Sequence, residues 1–209
     1  FNNALQFDGG DWVNMDNGGS SSATYDAGWN ERTYAVWVYF PNVTTQQVIF
    51  KEGGGTNGGA LYIEGGEIHC SQWNGGGDQA NEMNTYLKHS ISINTWTHIV
   101  CAHDGPGTSF EMYVNGSNSG TTTFTDPIAN VIEAQLSHSG DDSMCENDGS
   151  YFFEFNNSTN NSWCQNGTQI DEWAVFDTAL TAADAQTLYG LPDSWTIWAM
   201  YYTVWNISD

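Results

Sequence analysis

The sequence predicts an antiparallel β-sandwich of two sheets, with one short helix near its C-terminal end. Short apolar runs recur with the two-residue period of strands, and 23 glycines among the 209 residues supply many turns. The predicted strands do not alternate with long helices, as they would in a parallel sheet. A hydrophobic fraction of 39% allows a single domain of this length to bury a core.

The elements follow one another along the chain with turn residues between them. Gly65-Gly66 and Asn115-Gly116 are hairpin turns, and TYAVWVYF is apolar on both faces, as a covered central strand would be. Thr181 caps the one predicted helix, 181–189, with Asp184 three residues on. The predicted strands are 4–7, 11–15, 33–40, 46–51, 60–64, 67–73, 96–103, 109–115, 117–123, 131–138, 150–155 and 168–176.

The charge balance excludes two classes of partner. Three basic residues, Arg32, Lys51 and Lys88, stand against 25 acidic ones, for a net charge of -22. Neither nucleic acid nor an anionic lipid surface would be attracted to such a chain. No apolar run approaches the roughly 18 residues that a membrane helix needs, so membrane insertion is not expected.

Four cysteines, an even number, fit an oxidising compartment. Cys70 and Cys101 lie in strand-like segments and would bridge neighbouring strands, while Cys145 and Cys164 would close the loop between them. Free or differently paired thiols are the alternative. The chain begins at Phe1 without Met, as a mature secreted protein would. We therefore expect an extracellular or cell-surface location.

Seven Asn-x-Ser/Thr acceptors support that location, since this motif is glycosylated in secreted proteins. Four of them fall within 156–166, which predicts a glycosylated loop. The acceptors are Asn42, Asn115, Asn156, Asn157, Asn160, Asn166 and Asn206.

The order of four segments resembles a known family. ALQFDGGDWVNM, TYAVWVYF, NTWTHIVCAHDGPGTSFEMYVNG and IDEWAVFDTALTAADAQTLY are similar to the laminin-G-like modules of the concanavalin-A-like superfamily, over roughly residues 4–190. The resemblance implies a jelly-roll sandwich over 1–190, with about 140–168 as an atypical insertion and 191–209 as a separate C-terminal strand. Such modules include glycan-binding, adhesive and structural domains and some glycoside hydrolases, so the fold leaves the function open.

No catalytic site is expected. Hydrolases of the superfamily carry their carboxylates on one strand as Glu-x-Asp-x-x-Glu, and that pattern is absent. Asp171 and Glu172 are adjacent, so they would point to opposite faces, and Glu64 and Glu67 straddle a turn. The five histidines have no metal-binding spacing and are His69, His89, His98, His103 and His138.

Calcium is the one cofactor that the sequence suggests. GDDSMCENDGS offers oxygen ligands from Asp141, Asp142, Glu146 and Asp148, with Asn147 beside them. Many laminin-G-like modules bind calcium at loop edges, and the resemblance implies the same here. A solvated acidic loop is the alternative.

Trp73 is the best candidate for contact with a sugar. It lies beside Asn74, Asp78 and Gln79 in a glycine-rich segment, where a ring could stack on a sugar and the amide and carboxylate groups could bind hydroxyls. Trp29 and Trp163 are weaker candidates. The alternative is that these tryptophans pack in the core or on a sheet.

The C-terminal WTIWAMYYTVWNISD reads as an aromatic strand with a period of two. It would complete its own sandwich or that of a neighbouring copy, and the second arrangement builds a head-to-tail filament. The sequence thus predicts a non-catalytic structural or adhesive subunit of a glycosylated filament, or alternatively a soluble calcium-assisted glycan-binding module. The assembly residues would be Trp195, Ile197, Trp198, Tyr201, Tyr202 and Trp205.

Overall fold

The computed structural model of the chain describes residues 4–7, 13–14, 29–44, 47–53, 57–74, 85–106, 108–123, 134–136 and 167–191. The strands in these ranges are β1 (Leu5–Phe7), β2 (Val13–Asn14), β3 (Glu31–Tyr39), β4 (Gln47–Gly53), β5 (Asn57–Glu64), β6 (Glu67–Asn74), β7 (Thr85–Ser90), β8 (Trp96–Asp104), β9 (Ser109–Val114), β10 (Ser117–Thr123), β11 (Ala134–Leu136) and β12 (Thr168–Phe176). The helix is α1 (Ala182–Tyr189).

The strands form two six-stranded antiparallel sheets, which confirms the predicted sandwich. Sheet A has the order β1-β12-β3-β8-β9-β10, and sheet B has the order β2-β11-β4-β5-β6-β7. Half of the pairs of adjacent strands are not consecutive in the chain, and the chain crosses repeatedly between the sheets, as in a jelly roll. β3 lies third in sheet A with both faces largely buried, as predicted.

Both predicted hairpin turns are present. Gly65 and Gly66 connect β5 to β6, and Asn115 and Gly116 connect β9 to β10 with φ angles of 50° and 74°. The positive angles suit a two-residue hairpin turn, which favours Asn-Gly. A Cβ on Gly116 would also lie 3.1 Å from the Cβ of Tyr189, so this glycine allows α1 to approach the turn.

The structure differs from the predicted strands in two places. β7 was not predicted, and β4 and β5 extend into the glycine-rich segment that was expected to be a connection. Gly59 explains part of this extension, because a Cβ there would lie 3.3 Å from the hydroxyl of Tyr34. A glycine in β5 thus leaves room for a tyrosine of the opposite sheet. The predicted strand 150–155 lies outside the described residues.

The core lies between the sheets and contains an aromatic cluster that joins them. The ring of Phe50 in sheet B lies 4.8 Å from that of Tyr34 and 4.3 Å from that of Trp173, both in sheet A. Aliphatic side chains from both sheets surround it; among them are Val36, Val38, Ile49, Leu61, Ile63, Ile68, Ile99, Met112 and Ile170.

Cys70 and Cys101 form a disulfide, with their Cα atoms 6.2 Å apart. The expectation that they bridge neighbouring strands was wrong. Cys70 lies in β6 of sheet B and Cys101 in β8 of sheet A, so the bond crosses the core from sheet to sheet. Cys145 and Cys164 lie outside the described residues.

Helix α1 begins with the predicted capping box. The Asp184 backbone N–H donates to Thr181 Oγ1 at 3.3 Å, and the Thr181 N–H donates to Asp184 Oδ2 at 2.9 Å. Ala185 is the buried residue of the helix, and it packs with Val100 and Tyr113 on the outer face of sheet A. The helix therefore covers one outer face of the sandwich.

Candidate functional site

The outer face of sheet B carries a row of stacked rings. The Tyr62 and His69 rings are 4.7 Å apart with an angle of 22° between their planes. His69 and Tyr86 follow at 6.0 Å and 24°. These positions face outward because they alternate with Cys70 and Leu87, which pack inward. The row crosses β5, β6 and β7 in that order.

The row ends in an exposed ring. Tyr62 and His69 are buried, at 1% and 8% exposure, whereas Tyr86 is 50% exposed. β7 is the last strand of sheet B, so Tyr86 stands at the edge of the sheet. A large aromatic ring that is fixed on one side by a stacked neighbour and open on the other is suited to binding a flat apolar surface.

An ion pair lies beside this ring. Lys88 Nζ donates to Glu67 Oε2 at 2.7 Å, and both side chains are partly exposed. The hydrogen bond raises the pKa of Lys88 and lowers the pKa of Glu67. Burial lowers the pKa of His69, which keeps its ring neutral near pH 7. We call Glu67, His69, Tyr86 and Lys88 the β6–β7 patch.

The structure brings one predicted glycan-binding residue close to this patch. Ser71 pairs with Tyr86, and Trp73 stands two residues further along β6. The backbone of Trp73 therefore lies close to that of Tyr86. Asn74 follows at the end of the same strand, and Asp78 and Gln79 lie outside the described residues. Tyr86 was missed by the sequence analysis.

A second aromatic surface lies on the outer face of sheet A. The Trp37 and Tyr189 rings stack at 5.5 Å, and the Tyr39 and Trp96 rings lie 5.7 Å apart. Tyr189 is the most exposed of these four residues, at 37%, against 50% for Tyr86. Trp29, a weaker candidate of the sequence analysis, is a buried core residue.

Two buried histidines make the stability of the fold depend on pH. Burial lowers the pKa of His98, between Trp37 and Tyr189, and that of His103, beside Gln72, each to about 4. As the pH falls, these rings bind protons near pH 6.5 in the unfolded chain but only near pH 4 in the folded chain. The stabilising contribution of the neutral rings is therefore complete above pH 6.5 and is lost as the pH falls towards 4.

When the pH is lowered from about 7.5 to about 5.5, we expect the free energy of unfolding to fall by about 1 kcal/mol for each of these histidines. Denaturant unfolding at both pH values would measure the loss, and His98→Gln should reduce it by about 1 kcal/mol, the share of one histidine. An equal loss in wild type and His98→Gln would contradict this assignment.

Within the described ranges, no group of three or more His, Cys, Asp or Glu side chains could hold a metal ion. The strand is irregular at Asp171 and Glu172, and the expectation that they point to opposite faces stays a prediction. The β12 register with β3 shifts between Asp171 and Ala174, and Glu172 has a φ of 51°, so a bulge interrupts the strand. The proposed calcium ligands Asp141, Asp142, Glu146 and Asp148 lie outside the described ranges, and calcium binding stays a prediction.

Two of the seven glycosylation acceptors lie in the described part of the chain. Asn42 Oδ1 accepts from the Thr44 backbone N–H and hydroxyl, both at 2.8 Å, which closes a small turn. Asn115 Oδ1 accepts from the His98 backbone N–H at 2.9 Å. Their modification, like that of the other five, stays a prediction. In the described residues, no helix has the length and apolar character that a membrane span requires.

Solved structures with the same architecture include several binding domains. CBM40 of the Ruminococcus gnavus IT-sialidase, solved with α2,3 sialyllactose, matches with a TM-score of 0.63 and 13% identity, covering 90% of this chain and 96% of that one. The native heptameric SAP-like pentraxin of Limulus polyphemus has a TM-score of 0.60 and 14% identity, covering 90% and 81%. The binding domain of botulinum neurotoxin serotype G has a TM-score of 0.58 and 16% identity, covering 89% and 46%.

At these identities the likeness shows the fold alone, and the chain spans under half of the neurotoxin binding domain. No curated protein sequence matches the chain. The model of the Laminin_G_3 family, described as the concanavalin A-like lectin/glucanases superfamily, matches residues 7–186. The chain therefore belongs to the Laminin_G_3 family of that superfamily.

Proposed function

We propose that the chain is a non-catalytic, lectin-like module that binds glycans through the β6–β7 patch. The observation that carries the proposal is the exposed Tyr86 ring at the end of the stacked row. Its open face would pack on the apolar face of a sugar ring. The Lys88 ammonium would donate to sugar oxygens and the Glu67 carboxylate would accept from hydroxyls.

Two further observations support a binding module outside the cell. The fold is that of neighbours such as CBM40, which was solved with a bound sialyllactose. The Cys70–Cys101 disulfide fits an oxidising compartment. The absence of the Glu-x-Asp-x-x-Glu pattern from the sequence supports binding without hydrolysis.

Replacing the exposed ring tests the proposal. Tyr86→Ala should weaken binding to the glycans that wild type recognises on an array by about tenfold, because a stacked ring contributes about 1 kcal/mol or more. Tyr189→Ala is the matched control, since it removes another exposed tyrosine, on helix α1 at the outer face of sheet A. Binding by Tyr86→Ala that equals wild type would reject this site, and equal weakening in both variants would indicate a general loss of structure.

A specific feature of sheet A supports a second function, assembly through the C-terminal strand. β1 pairs with β12 only from Thr168 to Ile170. Among the strands that the structure describes, none lies on the β1 side of Trp173, Ala174 and Val175. An added strand at this position would pair with β12 and would come from this chain or from a second copy.

The end of α1 lies within reach of this position. Tyr189 stacks on Trp37, and Trp37 pairs with Asp171 of β12. A strand added beside β12 would lie about 10 Å from β3, two strand spacings away. The four residues from Pro192 to Trp195 can span about 13 Å when extended. This reach supports self-completion as well as donation to a neighbour.

Deleting residues 195–209 would test the assembly function. We expect the truncated protein to unfold at a lower temperature and to form no multimers, and the 195–209 peptide added in trans should restore stability. Size-exclusion chromatography, electron microscopy and thermal unfolding would measure these effects. Deleting only residues 206–209 is the control that keeps the aromatic run. A truncated protein with the stability and size of the full chain would reject this function.

A further inference from the structure

We infer that the β6–β7 patch selects neutral glycans and rejects their sialylated or sulfated forms. This inference rests on the proposed glycan-binding function and names its ligand class. A site binds a carboxylate or sulfate group most strongly where a cation is available to the ligand, since charge-assisted hydrogen bonds are about twice as strong as neutral ones. Whether the β6–β7 patch favours acidic glycans therefore depends on where the three basic residues of this chain lie.

Arg32 is not available to a ligand on this face. It belongs to β3 of sheet A, is 5% exposed, and its guanidinium carbon lies 5.2 Å from the centre of the Trp29 ring. Trp29 in turn packs against His103, whose Nδ1 contacts Gln72 across the core. The guanidinium is therefore part of the packing between the sheets.

Lys88 lies in the patch, but its charge is balanced. Its Nζ is 2.7 Å from Glu67 Oε2, and the pair has no net charge. A ligand carboxylate would have to compete with Glu67 for the ammonium and would lie next to the Glu67 carboxylate, which repels it. A sugar hydroxyl, in contrast, can donate to Glu67 while another sugar oxygen accepts from Lys88. The pair thus suits a neutral polyol.

The backbone of Lys51 is distant from that of Tyr86. The register runs from Lys51 to Ala60, from Ala60 to Ser71 and from Ser71 to Tyr86, so three strand spacings separate the two residues. This separation is about 14 Å between backbones. The net charge of -22 adds a long-range repulsion of anionic ligands that salt will screen.

The test compares matched pairs of oligosaccharides on an array, each neutral glycan beside its sialylated or sulfated form. With the full chain at about 50 mM salt, we expect each neutral member to bind at least about tenfold more tightly than its acidic partner. The difference should narrow at about 500 mM salt, where the Debye length falls to a few ångströms. Acidic members that bind as tightly as their neutral partners would overturn the inference but leave the proposed function intact.

Two variants sharpen the result. Glu67→Gln frees Lys88, so binding of the acidic members should rise at least about threefold relative to the neutral ones. Lys51→Gln should leave the ratio unchanged, and a loss of acidic-glycan binding in this variant would show that Lys51 serves as an anion site and would overturn the inference. Failure of wild type to bind any glycan would instead reject the proposed function and the inference with it.

Discussion

Removing the Cys70–Cys101 disulfide should lower the free energy of unfolding by about 3–4 kcal/mol. The bond closes a loop with a sequence separation of 31 residues, and the loss of chain entropy on closing such a loop has this size. The double variant Cys70→Ala/Cys101→Ala, unfolded in denaturant, would measure it. Because both sulfurs lie in the core between the sheets, the small cavities left by alanine would add to the loss.

A reducing agent provides the control for this experiment. Reduction should destabilise wild type through the loss of the same bond, and it should act on the double variant only through bonds other than Cys70–Cys101. A double variant as stable as oxidised wild type would show that the bond does not hold the two sheets together. Such a result would contradict the sheet-to-sheet bridge described above.

The second large effect is expected at Phe50. Phe50→Ala should lower the free energy of unfolding by about 3–5 kcal/mol, because the ring is fully buried and contacts Tyr34 and Trp173 of the opposite sheet. The variant would leave a cavity at the centre of the inter-sheet cluster. Thermal or denaturant unfolding would measure the loss.

Phe50→Leu is the matched control, since it keeps most of the volume and should cost about 1–2 kcal/mol. Tyr86→Ala should lower the free energy of unfolding by about 1 kcal/mol or less, because Tyr86 is half exposed in the fold. Equal losses for Phe50→Ala and Tyr86→Ala would contradict the packing that distinguishes the core from the patch.

The predictable part of the fold is the part that local chemistry determines. β3, β8 and β12 have strong apolar runs, the hairpin turns have glycine at positive φ, and Thr181 with Asp184 caps α1. β7 could not be predicted from its own residues. TYLKHS is short and polar, and its residues from Tyr86 to Ser90 are mostly exposed, so its strand conformation depends on pairing with β6.

The candidate site was only partly predictable for a related reason. Trp73 stood out because amide and carboxylate residues surround it in the sequence. Tyr86 carries no such local signal. Its role arises from stacking on His69, which stacks on Tyr62, and these three residues meet only when β5, β6 and β7 pair. A row of rings across three strands cannot be read from sequence spacing.

The most direct test of the central claim is to map where a glycan binds. Backbone amide resonances of the full chain would be followed while the tightest neutral oligosaccharide from the array is titrated in. We expect the shifts to concentrate in β6 and β7, from Glu67 to Asn74 and from Thr85 to Ser90, and to need about tenfold more glycan in Tyr86→Ala. Shifts confined to the Trp37 and Tyr189 surface of sheet A would contradict the assignment of the site, and the absence of shifts with every glycan tested would contradict the function.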